Sequence, residues 1–217
     1  MSSVRESPVQ KAERMIGFDK AFGFSRICGI DEAGRGPLVG PVSVCACVMP
    51  LNIPILGIDD SKKLSEKKRE ELFEKIIEVA DYCAVFIDEK TIDEINILDA
   101  TRLGMKRAVE GLKVKPDFAV VDAVKKLDID VKYEAVIKGD AQSYNVAAAS
   151  IIAKVTRDRF MAEVDKQYPQ YGFARNKGYG TKEHIAALKE FGPTPYHRKS
   201  FIKNFVDVSG TVVNSCI

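Results

Sequence analysis

The sequence predicts an α/β domain in which a mixed sheet is covered by helices on both faces. Three observations predict it. Short runs rich in β-branched residues are interspersed with amphipathic stretches of helical period. The two earliest runs follow one another without a helix between them, whereas later runs alternate with helices. And "VSVCACVM" (42–49) is apolar on both alternating faces, as suits a strand covered from both sides.

Taken in order, residues 1–11 read as a disordered N-terminus and residues 12–205 as one domain. "AERMIGFDKAFGF" (12–24) leads in as a short helix. "RICGIDE" (26–32) and 42–49 are strands, with Pro37 and Pro41 punctuating the join. "SEKKREELFEKIIEVA" (65–80) is an amphipathic helix with Leu72, Phe73, Ile76 and Ile77 on one face and Ser65 as N-cap. A strand at 82–87 precedes a helix over 98–112, with Leu98, Met105, Val109 and Leu112 inward. Two short strands follow, "FAVVD" (118–122) and "YEAVI" (133–137), and then a long helix from about Ser143 to Val164. Smaller helices around 182–190 and near the C-terminus form a small helical extension. Residues 206–217 are a tail of unassigned order.

The 217 residues are 46% hydrophobic and 29% charged, as in an ordinary globular protein, and the net charge of +2 excludes a polybasic tail binder. Any affinity for nucleic acid must come from a local basic face. Cys28, Cys45, Cys47, Cys83 and Cys216 are odd in number and form no Cys-x-x-Cys pair. That argues against a disulfide framework or structural zinc and for a reducing compartment. Cys45 and Cys47 read as core residues on one strand face, and His184 and His197 as too few and too isolated for a zinc site. With no leader pattern and no apolar run near the ~20 residues that span a bilayer, the expectation is a cytoplasmic chain with no membrane partner.

Three strands end in acid. Asp31 and Glu32 close the first, Asp122 closes "FAVVD", and Asp140 follows "YEAVIKG". Ligands of open α/β sheets bind at the carboxyl ends of strands, so parallel neighbours would bring these acids together. Clustered carboxylates repel, and a hard divalent cation, Mg²⁺ or Mn²⁺, removes the conflict. Two such ions astride a phosphodiester would activate water and stabilise the leaving oxygen. Adjacent strand residues point to opposite faces, so Asp31 and Glu32 share a site only if the strand ends or twists there. Each acid alone reads as a turn or cap residue; the set together reads as a metal centre.

Beside the first pair lies Gly34-Arg35-Gly36, where bare backbone can approach a sugar or phosphate closely. On the long helix, Ser143, Ser150, Lys154 and Arg157 share one face and form a hydrophilic stripe suited to a DNA phosphate. The same pattern also suits a buried helix whose serines bond back to their own backbone. Asp158, at its edge, is expected to pair with an arginine. In "DSKKLSEKKRE" (60–70), Lys67 to Arg69 read as a solvated face, whereas Lys62 and Lys63 precede the helix and read as phosphate contacts.

"ICGIDEAGRGPLVGPV", "DSKKLS" (60–65), "KGDAQSYNVAAASIIAKVTRDR" (138–159), "NKGYGTKEH" (176–184) and "HRKSF" (197–201) together resemble bacterial type 2 ribonuclease H, ribonuclease HII, from about residue 12 to 205. The resemblance implies the ribonuclease H fold with a five-stranded mixed sheet. It implies hydrolysis of the RNA strand of RNA–DNA hybrids and nicking of duplex DNA 5′ of embedded ribonucleotides, leaving 3′-hydroxyl and 5′-phosphate ends. Its four acids fall on Asp31, Glu32, Asp122 and Asp140, with two Mn²⁺ or Mg²⁺ ions when substrate is bound. Its 2′-hydroxyl sensor falls on Gly34, Arg35 and Gly36, and its junction tyrosine on Tyr179, packed against the deoxyribose 3′ of the ribonucleotide. His197 and Arg198 are read as packing and hydrogen bonding near the site. A monomer is expected. Two positions depart from the family pattern: Ala123 stands where glycine is common, and Asn145 where serine is.

Overall fold

Helix α1 (Pro8–Lys20) begins at Pro8 and not at residue 12, because Ser7 caps it: the Ser7 hydroxyl accepts from Gln10 N, and Ser7 N donates to the Gln10 side chain. Residues 8–11, expected to be disordered, therefore belong to this helix, and residues 1–5 lie outside the described residues. The computed structural model describes residues 6–207, so Cys216 and most of the tail expected over 206–217 lie outside the described residues.

Strands β1 (Ile27–Ala33) and β2 (Val42–Val48) pair antiparallel. Helix α2 (Glu66–Val79) starts at the predicted Ser65 cap, and β3 (Asp81–Ile87) adds antiparallel to β2. Helices α3 (Glu89–Ile95) and α4 (Ile97–Glu110) cross over to β4 (Phe118–Asp122), which lies parallel to β1, and β5 (Lys132–Val136) lies parallel to β4. The sheet order β3-β2-β1-β4-β5 is the mixed five-stranded arrangement expected. A short α5 (Gly139–Gln142) leads into the long α6 (Tyr144–Gln167), followed by the C-terminal helices α7 (Phe173–Asn176), α8 (Lys182–Phe191) and α9 (Lys199–Ile202).

The pleat sorts residues between two cores. Cys45 and Cys47 pack against Ala147, Ala148, Ile151 and Ile152 of α6 on one face. Cys28, Ile30, Val44 and Ala46 meet Met105 and Ala108 of α4 on the other. β2 is buried from both sides, as its composition predicts. The four described cysteines are free. Among the described residues no helix is long and apolar enough to cross a membrane.

Gly29 lets α6 lie this close: a Cβ there would run into the Asn145–Val146 backbone. Asn145 fastens the same crossing. Its Oδ1 accepts from Met49 N at 2.8 Å, and its own N and Nδ2 donate to Asp19, so one side chain ties α1, α6 and the end of β2 together.

One helix was not expected and two sequence expectations fail locally. Asp88 caps α3, a helix too short to show a periodic pattern, by accepting from Thr91 N. Leu98 is exposed and not inward, because it lies in the first turn of α4 beside its cap Asn96. Arg69 is buried and not solvated: its Nη1 donates to the carbonyls of Ser61 and Leu64 at 2.7 and 2.8 Å, pinning the 61–64 turn to α2.

Candidate active site

β1, β4 and β5 run parallel, so their carboxyl ends lie together. β1 delivers Asp31, β4 ends at Asp122, and the chain leaving β5 passes through Lys138 (φ 56°) into α5, which carries Asp140. One carboxylate oxygen from each of Asp31, Asp122 and Asp140 can be chosen so that all lie within 4.8 Å of one another. Asp122 is aimed by its Oδ1, which accepts from Gly139 N at 2.7 Å, and Asp31 by Oδ1, which accepts from Glu32 N at 2.7 Å. Ala123, just after β4, takes φ 53°, the left-handed region that a glycine would occupy without the ~1 kcal/mol steric cost.

Glu32 stands apart from that triad. β1 continues regularly to Ala33, with Asp31 opposite Cys45 and Glu32 opposite Val44, so the strand neither ends nor breaks between them. The Glu32 carboxylate borders the cavity, with Arg35 Nη1 3.6 Å from its Oε1, while its Oε2 is buried and has no hydrogen-bond partner.

Burial, then the charges of Glu32 and Asp122, push the Asp31 carboxyl well above the usual carboxylate range. Glu32 is raised as well, by burial first, against the pull of Arg35. Asp140 is pushed up to about 6 by burial and by the neighbouring carboxylates of Asp60 and Asp122. Burial lowers the Lys62 ammonium, but Asp31, Asp140, Asp60 and Asp122 outweigh it and raise it overall. Hard oxygen donors in mutual conflict, plus a buried carboxylate oxygen without a partner, fit a divalent cation of the Mg²⁺ or Mn²⁺ kind.

Adjoining the acids is a cavity of about 250 Å³, bordered by Glu32, Gly34, Arg35, Gly36, Lys62, Ser150, Lys154 and Tyr179. A hollow of about 570 Å³ near Phe24 and Pro50 is larger but faces no comparable set of acids, so chemistry and not size selects the site. The glycine loop and the tyrosine face each other: a Cβ on Gly36 would lie 3.5 Å from the Tyr179 ring, which is 50% exposed.

The predicted stripe on α6 divides. Ser150 reaches the cavity edge, bonded to Ser61 Oγ at 2.7 Å, and Lys154 reaches it while paired with Asp158 at 2.6 Å. Asp158 also lies 3.7 Å from Arg69, the arginine pairing expected of it. Ser143 does not face substrate space: it is fully buried and caps α6 by accepting from Val146 N. Arg157 is likewise no phosphate contact. It is 1% exposed, and its Nε, Nη1 and Nη2 donate to the carbonyls of Pro41, Lys177 and Val39, so the guanidinium is occupied by backbone. Lys63 is exposed and sits 3.8 Å from Asp60, and it does not border the cavity.

Two features escaped the sequence reading, the place of Asp60 and the histidine contact, whereas Arg198 hydrogen-bonds near the site as expected. Asp60 lies beside Asp140 and helps push its carboxyl up, a neighbour whose only sequence signal is its place at the head of the 60–65 block. Arg198 is fully buried and donates to the carbonyls of Gly34, Arg35 and Gly40 at 2.6–2.9 Å, holding the glycine loop from behind. His184 and His197 are not isolated: their Nε2 atoms meet at 3.2 Å, and His184 Nδ1 donates to Tyr179 O at 2.8 Å.

The family model described as Ribonuclease HII matches residues 28–204. A ribonuclease HII of Acetivibrio thermocellus is 55% identical over 185 residues, 85% of this chain and 72% of that protein. One from Ruminiclostridium cellulolyticum is 50% identical over 211 residues, 95% of this chain and 83% of that protein. Among solved structures, the ribonuclease H2 of Pyrococcus horikoshii superposes with a TM-score of 0.69 at 30% identity, covering 81% of this chain and 93% of that one.

Proposed function

Because this chain belongs to the ribonuclease HII family and is an endoribonuclease, we propose that it hydrolyses the RNA strand of RNA–DNA hybrids and nicks duplex DNA 5′ of embedded ribonucleotides, leaving 3′-hydroxyl and 5′-phosphate ends. One observation carries the reading: three carboxylates from separate elements converge beside a glycine loop that faces an exposed tyrosine. Asp31, Asp122 and Asp140 would hold the metal, with Glu32 and its unpartnered oxygen completing the set for a second ion when substrate is bound. Such ions, when bound, polarise the scissile phosphate and lower the pKa of the attacking water.

The chain's own groups do the rest. The Gly34-Arg35-Gly36 backbone meets the ribose 2′-hydroxyl, the group that separates RNA from DNA. Tyr179 packs on the following sugar, where a second 2′-hydroxyl would be crowded. Lys62 and Lys154, both bordering the cavity, meet phosphates, so binding weakens as salt rises despite the small net charge. The protein acts as a cytoplasmic monomer.

The test is a duplex carrying a single ribonucleotide, incubated with Mg²⁺, Mn²⁺ or chelator. Cutting on the 5′ side of that residue, dependent on metal, is expected; cutting at DNA junctions instead would assign the fold to a different nuclease. Tyr179→Ala should reduce cutting at the single ribonucleotide about tenfold more than cutting of a long hybrid, on the order of one lost stacking contact. Equal losses on both would remove the junction role.

A further inference from the structure

Arg157 borders the cavity, yet its guanidinium is committed inward. Nη1 donates to Lys177 O and Nη2 to Val39 O, each at 2.9 Å, and Nε to Pro41 O at 3.0 Å. Among the described residues no carboxylate lies within ion-pair distance of it: the nearby Asp158 pairs with Arg69 and Lys154, and every hydrogen bond from a guanidinium that is 1% exposed goes to a backbone carbonyl. Burying a charge this way is expensive, and a residue of similar volume without the charge would often be no less stable. What the arrangement supplies is geometry.

The carbonyls it gathers belong to two different segments. Val39 and Pro41 continue from the glycine loop, and Lys177 leads into Tyr179. The same two segments touch at two further points. Leu38 N donates to Gly178 O at 2.8 Å, and a Cβ on Gly178 would sit 2.7 Å from Val39 O. At Gly34 (φ 94°) a Cβ would collide with the Arg157 guanidinium itself, so the loop lies directly on that side chain. One planar fork therefore sets the distance between the 2′-hydroxyl reader and the tyrosine.

We propose that Arg157 is a specificity-determining positioning residue, which fixes the Gly34-Arg35-Gly36 loop against the Lys177–Tyr179 segment so that the enzyme distinguishes a single ribonucleotide from a run of RNA. It touches no substrate; it sets the spacing of the two groups that do. The inference rests on the ribonucleotide-nicking function proposed above.

Arg157→Lys tests it. A single ammonium keeps the charge but cannot bridge three carbonyls in one plane. Wild type, Arg157→Lys and Tyr179→Ala are assayed on a duplex with one ribonucleotide and on a hybrid with an all-RNA strand. In Arg157→Lys the ratio of kcat/KM, single ribonucleotide over hybrid, should fall about tenfold to a hundredfold, carried by kcat, as expected for ångström-scale misplacement. Mn²⁺ affinity by calorimetry should stay at the wild-type value, because Arg157 contacts none of Asp31, Asp122 and Asp140. An unchanged ratio in a folded variant, or equal losses on the two substrates, overturns the proposal. If circular dichroism shows that Arg157→Lys does not fold, Arg157→Met, of similar length and without the three donors, is read by the same ratio. A wild-type enzyme that leaves the single-ribonucleotide duplex uncut defeats the function reading itself, a result distinct from a wild type that cuts and a variant that discriminates equally well.

Discussion

Two groups of buried charges lie on either side of the glycine loop, and they are satisfied in opposite ways. On one side Asp31, Asp140 and Glu32 press against one another, and Glu32 Oε2 has no partner. On the other, Arg157 and Arg198 are at least as deeply buried, yet each nitrogen of both guanidinium groups donates to a backbone carbonyl. A buried charge left in conflict is destabilising unless a ligand resolves it, whereas a fully bonded one is structural. The contrast separates the residues that wait for metal and substrate from the residues that hold them in place.

The sharpest way to break that contrast is to neutralise one charge on each side. Asp122→Asn keeps an oxygen to accept from Gly139 N but removes a carboxylate from the triad. Cleavage should fall on the order of 10³-fold or more, because metal-assisted charge stabilisation is worth several kcal/mol. Hybrid binding should be largely spared, and the metal-free melting temperature should hold or rise, since a repulsion is gone. Near-normal turnover would contradict the metal-ligand assignment. Arg198→Met should do the reverse to stability: it strands three loop carbonyls and should cost roughly 3–5 kcal/mol in urea denaturation. Arg35→Met, at an exposed side chain of the same loop, should shift stability by no more than about 0.5 kcal/mol. Comparable stability losses in Arg198→Met and Arg35→Met would dissolve the distinction between scaffold and site.

The same contrast explains what could be read from the sequence. Asp31, Asp122 and Asp140 were legible because each falls near the carboxyl end of a strand, close to the end of β1, at the end of β4 and in the helix that follows β5, and parallel pairing of β1, β4 and β5 turns that regularity into proximity. The five strands and the long helix followed from period and β-branching. Arg157 was misread because helical spacing tells which face a side chain leaves from, not whether carbonyls of residues 39, 41 and 177 await it there. Ser143 fell on the same face but at the cap, where burial and not substrate takes its hydroxyl. The histidines looked isolated because their contact depends on how α8 and the segment before α9 pack, which no local pattern encodes. The departures Ala123 and Asn145 became intelligible only as a left-handed backbone position and a three-way tie.

Acid should pull the two sides in opposite directions. His197 Nδ1 accepts from Thr194 N and His184 Nδ1 donates to Tyr179 O, so the two facing Nε2 atoms share one proton and have no room for a second. Burial and the neighbouring His184 lower the His197 imidazole to about 3. The unfolded chain therefore takes up a proton below pH 6.5 that the folded one refuses until about pH 3, and stability falls as pH drops through that window, by roughly 3 kcal/mol at pH 4.5. Asp140, raised to about 6, has the opposite sign: between its unfolded value of 3.8 and about 6 the folded state binds more protons, so acidification stabilises it. Wild-type melts in chelator should thus change little between pH 6.5 and 4.5, as the two trends offset. In His197→Gln the larger histidine contribution is removed, leaving only His184 lowered by burial, and stability should rise on acidification across the same range. Adding Mn²⁺, which holds the carboxylates ionised, should flatten that rise. A His197→Gln protein that loses stability in acid as steeply as an enzyme with its histidine pair intact and its carboxylates loaded with Mn²⁺ would show that the pair is not the acid-sensitive element.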